Sequence, residues 1–222
     1  MAELKRVILR SRPFLYDKVI QDMQQTMADA LPWLDHIFGR AERLVKKIDG
    51  IRQYTPNVYL GKGEYLPVTP DSRLGNYSFF QIDEPEQVEW SYGNYTHFRS
   101  PFSLVVWVDM RTIEGIDERN TEEVKDMILR ALKRQSWIKH GGMKFDRIYN
   151  RAENVFQGYT LDEVDNQFLM SPYCGWRFTG ELWIDGECLN GANYLYVKPE
   201  EVQWITDMVS YDVFSDGEWI IK

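Results

Sequence analysis

The stretch Phe102-Ser-Leu-Val-Val-Trp-Val-Asp-Met-Arg-Thr-Ile113 decides the fold, because most of its length is apolar on both faces. A continuous apolar run of this kind predicts a strand in the middle of a sheet that is covered on both sides. The following stretch, 121–134, predicts a helix with one apolar stripe, formed by Val124, Met127, Ile128, Ala131 and Leu132. A central strand followed by an amphipathic helix predicts an α+β core.

The first fifty residues predict a helical hairpin. Apolar residues recur at helical spacing over 14–31 and again over 33–48, and Pro32 separates the two runs. Asp49-Gly50 is interpreted as the end of the second helix. In that helix the clearest basic cluster of the chain, formed by Arg40, Arg43, Lys46 and Lys47, is interpreted as a solvated face.

The next region, 55–113, predicts β-structure, with strands at 57–61, 64–68, 77–82 and 87–92 before the central strand. A short helix is predicted over 161–167, and the alternating stretch 173–184 predicts a strand that closes the sheet and is either half-solvated or at an interface. We therefore predict an α+β fold with a mixed or antiparallel sheet packed by helices. Residues 1–185 form the predicted core domain, and 186–222 form a β-rich C-terminal extension.

Composition narrows the classes of partner. The chain has 222 residues, 44% of them hydrophobic, and a net charge of -8. A negative surface repels nucleic-acid phosphates, so no sequence-specific nucleic-acid binding is predicted. The longest apolar run, 104–108, is too short to span a bilayer, so no membrane partner is predicted either. Two cysteines, Cys174 and Cys188, are too few for a disulfide framework.

The residue types that carry catalysis and metal binding are present without a recognisable pattern. His36, His97 and His140 lie far apart, and none belongs to a ligand pair such as His-x-x-x-His. There is no Gly-x-Ser-x-Gly elbow and no phosphate-binding loop with its lysine. The acidic clusters 83–86 and 162–165 lie in turn-like or cap-like settings typical of solvated loops. We therefore predict no enzyme activity, catalytic residue, cofactor or metal.

Aromatic residues are concentrated in the β-rich region, and three roles remain open for them. They could pack in the sheet core, form a protein interface, or stack against sugars or bases. On the second of these interpretations, the candidate subunit interface consists of Tyr65, Phe79, Phe80, Trp90, Tyr92, Tyr95 and Trp183.

The order of elements resembles that of the tail-terminator and tail-completion proteins of tailed bacteriophages, and of related neck proteins. An N-terminal helix leads into Pro56-Asn-Val-Tyr-Leu-Gly61 and a β-rich middle region, and the central strand then feeds the helix 121–134. The stretch Gly175-Trp-Arg-Phe-Thr-Gly-Glu-Leu182 closes the sheet. The resemblance covers about residues 33–185; the long segment 14–48 and the residues after 185 depart from the family's pattern.

This resemblance implies a structural virion protein that is assembled in the host cytoplasm. Members of that family form homo-oligomeric rings, often hexamers, at the neck or tail end, where they contact tail-tube and connector proteins while DNA passes through the lumen. The alternative hypothesis is a carbohydrate-binding or carbohydrate-active domain that uses the aromatic-rich segment 77–102.

Overall fold

A computed structural model describes residues 5–48, 50–61, 63–70, 72–92, 95–133, 141–160, 169–184, 211–213 and 219–221. The described helices are α1 (Tyr16–Ala30), α2 (Thr121–Lys133) and the short α3 (Ala152–Val155). The described strands are β1 (His36–Ile48), β2 (Ile51–Gly61), β3 (Glu64–Pro67), β4 (Tyr77–Ile82), β5 (Gln87–Tyr92), β6 (Tyr95–Asp109), β7 (Gly142–Tyr149), β8 (Tyr173–Ile184), β9 (Tyr211–Val213) and β10 (Trp219–Ile221).

One mixed sheet organises the protein. Its eight strands include a path in the order β3-β2-β1-β4-β6-β8-β7, and β5 pairs with β6 beside this path. β1 runs parallel to β4, with His36 opposite Tyr77, and the other described pairs in this sheet are antiparallel. β9 and β10 form a separate antiparallel pair. The predicted α+β class with a mixed sheet is therefore confirmed.

Strand β6 separates two hydrophobic cores. Leu104, Val106 and Val108 pack into the first core, beneath α1 and α2. Val105 and Trp107 point the opposite way, into the second core, which also contains Val155 of α3 and Phe156 directly after it. All five β6 side chains are fully buried. The prediction of a strand covered on both faces is therefore confirmed, since alternate residues of a strand point to opposite faces.

A row of aromatic rings crosses the sheet within the second core. Trp107 lies between Tyr77 on β4 and Tyr173 on β8, with ring centroids 5.6 Å and 5.2 Å away. Phe38 on β1 continues the row at 6.4 Å from Tyr77. Cross-strand aromatic pairs of this kind stabilise a sheet beyond their buried area, so the row ties four neighbouring strands together.

The predicted helix over 33–48 is wrong, because residues 36–48 form strand β1. The helical hairpin reduces to α1, which confirms the helix predicted over 14–31, and the β-structure begins at His36 rather than at residue 55. Ile48 pairs with Ile51 across Asp49-Gly50, and Gly50 has a φ of 84°. These two residues therefore connect the two strands of a β-hairpin and do not end a helix. Asp-Gly is a common pair in such two-residue turns.

The other predicted elements in the described part of the chain are present at the predicted positions. The strands at 77–82, 87–92 and 173–184 correspond to β4, β5 and β8, and the helix at 121–134 corresponds to α2. The prediction that 173–184 is a half-solvated strand closing the sheet is wrong, because β8 lies between β6 and β7 and all of its residues are buried or half-buried. The helix predicted over 161–167 lies outside the described residues, as does most of the extension 186–222, of which β9 and β10 are described.

Candidate functional site

Neighbouring strands of the sheet carry a polar network on the face of the second core. Ser103 on β6 and Arg177 on β8 lie on this face, and Asp83 directly follows β4. The guanidinium of Arg177 donates from Nε to Ser103 Oγ at 2.9 Å, from Nη1 to the Gln157 carbonyl at 2.9 Å, and from Nη2 to Asp83 at 3.2 Å. Arg177 is 5% exposed, so a charge that the alternating strand pattern placed on a half-solvated face is buried.

Two further side chains extend the network toward α3. Gln81 donates to Asp83 at 2.7 Å and accepts a hydrogen bond of 2.8 Å from the Tyr159 hydroxyl. Burial raises the pKa of Tyr159 to about 12, so the phenol is protonated and remains a donor at neutral pH. The network therefore fastens the segment after α3 to the sheet.

A cavity of about 330 Å³ opens beside these residues, but their geometry does not favour catalysis. Ser103 Oγ donates to Asp83 at 2.6 Å and accepts from Arg177, so its proton points to a carboxylate already paired with a guanidinium. A serine nucleophile needs a neighbouring base that is free to accept its proton, and the Asp83 carboxylate already accepts hydrogen bonds from Arg177 and Gln81. Each guanidinium nitrogen also has a protein partner, so the arrangement favours a structural clamp.

A second concavity, of about 410 Å³, lies between the N-terminal segment, α1 and the hairpin of β1 and β2. Asp17 is 8% exposed and accepts from Arg10 at 2.8 Å, and Arg40 lies 3.6 Å from its other oxygen. Gln24 donates to the Ile37 carbonyl at 2.8 Å in the same region. These contacts join the N-terminal segment to α1 and β1.

The hairpin of β1 and β2 extends past the sheet as an arm, residues 43–55, which we name the basic arm. β1 lies beside β4 as far as Arg40, opposite Phe80, but it stays paired with β2 up to Ile48. Val45 is 55% exposed and Ile51 is 67% exposed. A two-stranded ribbon is marginally stable alone in water, so such an arm favours contact with another surface.

Sequence reasoning missed this arm because it assigned Arg43, Lys46 and Lys47 to a helix. The arm carries Arg43, Lys46, Lys47 and Arg52 against one acidic residue, Asp49. In the observed register Lys47 lies directly opposite Arg52. Asp49-Gly50 was the local signal that could have identified the hairpin, since this pair is typical of two-residue β-turns.

A second hairpin, formed by β5 and the first half of β6, projects from the same end of the sheet. β4 ends at Ile82, opposite Phe102, whereas β6 continues to pair with β5 from Arg99 back to Tyr95. Because β1 and β4 are parallel and β6 is antiparallel to β4, both hairpins extend beyond the end of β4. β8 still pairs with β6 as far as Phe98, so the part of the second hairpin that extends past this pairing is its tip, residues 90–92 and 95–97.

The outer strands of the sheet carry features that discourage edge-to-edge pairing. β3 is four residues long and ends at Pro67. β7 has an irregular register between Phe145 and Arg147, and its Lys144 and Asp146 form an exposed ion pair at 2.7 Å. Short strands, proline, bulges and charges are the usual protections of a sheet edge. The hairpins are thus better suited than these edges to contact another subunit.

The seven residues predicted for a subunit interface lie in different environments in the structure. Phe79 and Phe80 were wrongly assigned, because both are fully buried and point into the second and the first core. Adjacent strand residues point to opposite faces, so a doubly covered sheet buries both. Tyr65 is 42% exposed, and its ring lies 5.2 Å from that of Tyr59. Trp183 is half-buried against Gly142.

Trp90, Tyr92 and Tyr95 come together at the second hairpin, where the backbone register pairs Tyr92 with Tyr95 and Trp90 with His97. The side chains of Trp90, Tyr92 and Tyr95 lie outside the described part of the structure.

The fold and these contacts define an α+β protein built on a doubly covered mixed sheet with two projecting hairpins. No known protein family matches the chain, and no curated protein matches its sequence. Among the described residues, no helix is both long and apolar enough to cross a membrane. The same residues contain no group of three or more histidine, cysteine, aspartate or glutamate side chains that could hold a metal ion.

Proposed function

We propose that this chain is a structural, non-enzymatic subunit of the head–tail connector or tail terminator of a tailed bacteriophage. The observation that carries the proposal is the pair of hairpins that project from one end of a sheet whose faces are covered and whose edges are protected. Such hairpins present surface for another subunit without disturbing either core. The order of the central strand β6, the helix α2 and the strand β8 keeps part of the resemblance to tail-terminator and neck proteins, although strand β1 lies where that resemblance expected a helix.

In this proposal the chain assembles with itself into a closed ring, with a hexamer as the expected form. Head-to-tail contacts between identical subunits close into rings when the rotation between neighbours fits. The ring would contact tail-tube and connector proteins in the virion after assembly in the host cytoplasm. With its net charge of -8, a lumen of this protein would let DNA pass without sequence-specific binding.

Light scattering of the purified full chain, followed by negative-stain images of the same peak, tests the ring. The expected result is a closed ring of fixed stoichiometry, with a hexamer at six times the chain mass of 26.3 kDa. The measurement is repeated over a range of protein concentrations and in the presence of purified tail tubes. A protein that stays monomeric in all of these conditions contradicts the proposal.

The carbohydrate-binding alternative depends on Trp90, Tyr92 and Tyr95, which the register brings to one hairpin. The rest of the aromatic segment offers less, because Phe79, Phe80 and Phe102 belong to the buried cores. A glycan panel monitored by tryptophan fluorescence tests this alternative, and Trp90→Ala should abolish any response. A flat response across the panel removes it.

A further inference from the structure

The basic arm is positively charged, although the protein as a whole is acidic. Residues 43–55 contain four basic side chains and one acidic side chain, whereas the whole chain has a net charge of -8. Arg43, Lys46, Lys47 and Arg52 are all exposed or half-exposed. The guanidinium of Arg43 stacks on the ring of Tyr54, with its Cζ atom 3.9 Å from the ring centroid.

The register of the arm places two of these charges side by side. Lys47 lies directly opposite Arg52, and like charges in such positions destabilise a strand pair. The arm is fastened at its base, where the Thr160 N–H donates to the Tyr54 carbonyl at 2.8 Å and the Tyr54 N–H donates to the Thr160 hydroxyl at 3.3 Å. Its two strands pair with each other from there to Ile48 and Ile51. An anionic partner would relieve the repulsion between the two cations, so the register points to such a partner.

The protein carries a complementary surface at the other end of the sheet. Residues 114–123, which we name the acidic segment, contain five carboxylates and one arginine: Glu114, Asp117, Glu118, Glu122, Glu123 and Arg119. All six side chains are exposed. The segment follows the end of β6 that pairs with the start of β4, and the basic arm lies beyond the opposite end of β4. One molecule therefore cannot bring its own arm to its own acidic segment without leaving the sheet.

We propose that the basic arm of one subunit docks on the acidic segment of a second copy of this chain. This inference rests on the proposed ring and supplies its contact. Because the arm and the acidic segment are different surfaces, the contact is heterologous. Each subunit can then bind one neighbour through its arm and another through its acidic segment, as a ring requires. The arm also exposes Val45 and Ile51, which a protein surface can cover and a phosphate backbone cannot. A protein partner is therefore favoured over nucleic acid.

Charge reversal in the full-length protein tests the contact. One variant carries Lys47→Glu with Arg52→Glu, which keeps a like-charged pair in the arm and so preserves its internal balance. A second variant carries Glu114→Lys with Glu118→Lys. Each should raise the protein concentration at half-assembly, measured by light scattering, by at least about tenfold, because like charges then face each other across the contact.

Combining the variants separates a direct contact from a general loss of folding. A chain with all four substitutions should regain assembly, and an equimolar mixture of the two separate variants should co-assemble, because opposite charges again meet. The control variant, Arg12→Glu with Arg151→Glu, makes the same charge change as the arm variant at exposed positions outside the arm and the acidic segment, and should assemble like the parent chain. Circular dichroism of each variant checks the fold.

The outcomes distinguish this contact from the proposed ring itself. Rings that persist in the arm variant, or fail to return in the four-fold variant, overturn the contact and leave the ring standing. Charge-dependent chains or dimers that never close support the contact and count against the ring. A parent chain that shows no self-association at any concentration, with or without tail tubes, overturns both. If the arm variant assembles normally but loses binding to double-stranded DNA, nucleic acid is the partner.

Discussion

Removing Asp83 should destabilise the protein more than removing Arg177, although the two belong to one ion pair. The guanidinium side chain is 6% exposed, whereas the Asp83 side chain is 26% exposed. Asp83→Ala leaves a buried positive charge without its counter-ion, a loss that costs about 3 kcal/mol or more in buried pairs. We expect about 3 kcal/mol, at the low end of that range, because water can reach the position that the carboxylate vacates.

Arg177→Met should cost less, about 1 to 2 kcal/mol. Asp83 would keep the hydrogen bonds from Ser103 and Gln81, at 2.6 Å and 2.7 Å, and its contact with water. The main loss is the donor to the Gln157 carbonyl, and the methionine fills much of the volume of the arginine. The double variant should resemble Arg177→Met alone, because no charge then remains buried, so the two single effects should not add.

Urea unfolding followed by far-ultraviolet circular dichroism measures these differences, with an unchanged slope as the check on two-state behaviour. All variants are compared at one protein concentration, because self-assembly would otherwise contribute to the apparent stability. Asp146→Ala serves as the control, since its partner Lys144 is 66% exposed and an exposed pair contributes about 0–1 kcal/mol. Equal costs for the two single variants, or additive costs in the double variant, would refute the asymmetry.

Three further predictions concern single sites. Gly180→Ala should disrupt the pairing of β8 with β7 and lower the midpoint of urea unfolding, because a β-carbon at Gly180 would collide with the backbone of β7. In a Cys188→Ser background, the Cys174 thiol should react with a thiol reagent at pH 8 only after unfolding, because burial raises its pKa to about 12; fast labelling of the folded protein would contradict this. Asp109→Asn should destabilise at pH 6 and matter progressively less as the pH falls through the folded-state pKa of Asp109, which hydrogen bonds from Arg111 lower; unfolding curves at several pH values check this.

The parts of the fold that the sequence predicts are those whose pattern has one interpretation. Val105 and Trp107 on one face of β6, and Leu104 on the other, left no solvent-facing side, so a covered strand was the direct prediction. The stripe of α2 likewise repeats at helical spacing and nowhere alternates. In both elements the local pattern and the tertiary environment favour the same structure.

Residues 36–48 show why the same reasoning failed in β1. Their apolar residues recur at helical spacing, yet Ile37 and Phe38 enter different cores in the structure. Two distant segments decide the outcome: β4, in which Tyr77 lies opposite His36, and β2, which needs a partner for its backbone. Non-local pairing can override a weak local pattern, and no window of the sequence contains both partners.

The polar network could not be predicted for a related reason. Arg177 and Asp83 are 94 residues apart in the chain, and their pairing depends on the register of three strands. A solvent-exposed arginine and a buried arginine in an ion pair give the same alternating sequence pattern on a strand. Burial distinguishes them, and burial depends on how the segment after α3 covers the sheet.

The network and the basic arm should respond to different perturbations, because they lie in different parts of the protein. Arg177 and its partners hold a covering segment on the sheet, so substitutions there should change the free energy of unfolding while any ring that forms keeps its stoichiometry. Lys47 and Arg52 lie on a ribbon outside both cores, so reversing them should change assembly at nearly constant stability. Raising NaCl from 0.1 M, where the Debye length is about 10 Å, to 1 M, where it is about 3 Å, should weaken the second effect far more than the first, because buried pairs are screened much less. A different result would be that salt and charge reversal leave assembly unchanged while Asp83→Ala causes the ring to dissociate. The subunit contact would then depend on the packing of the cores, and the basic arm would not be the subunit contact.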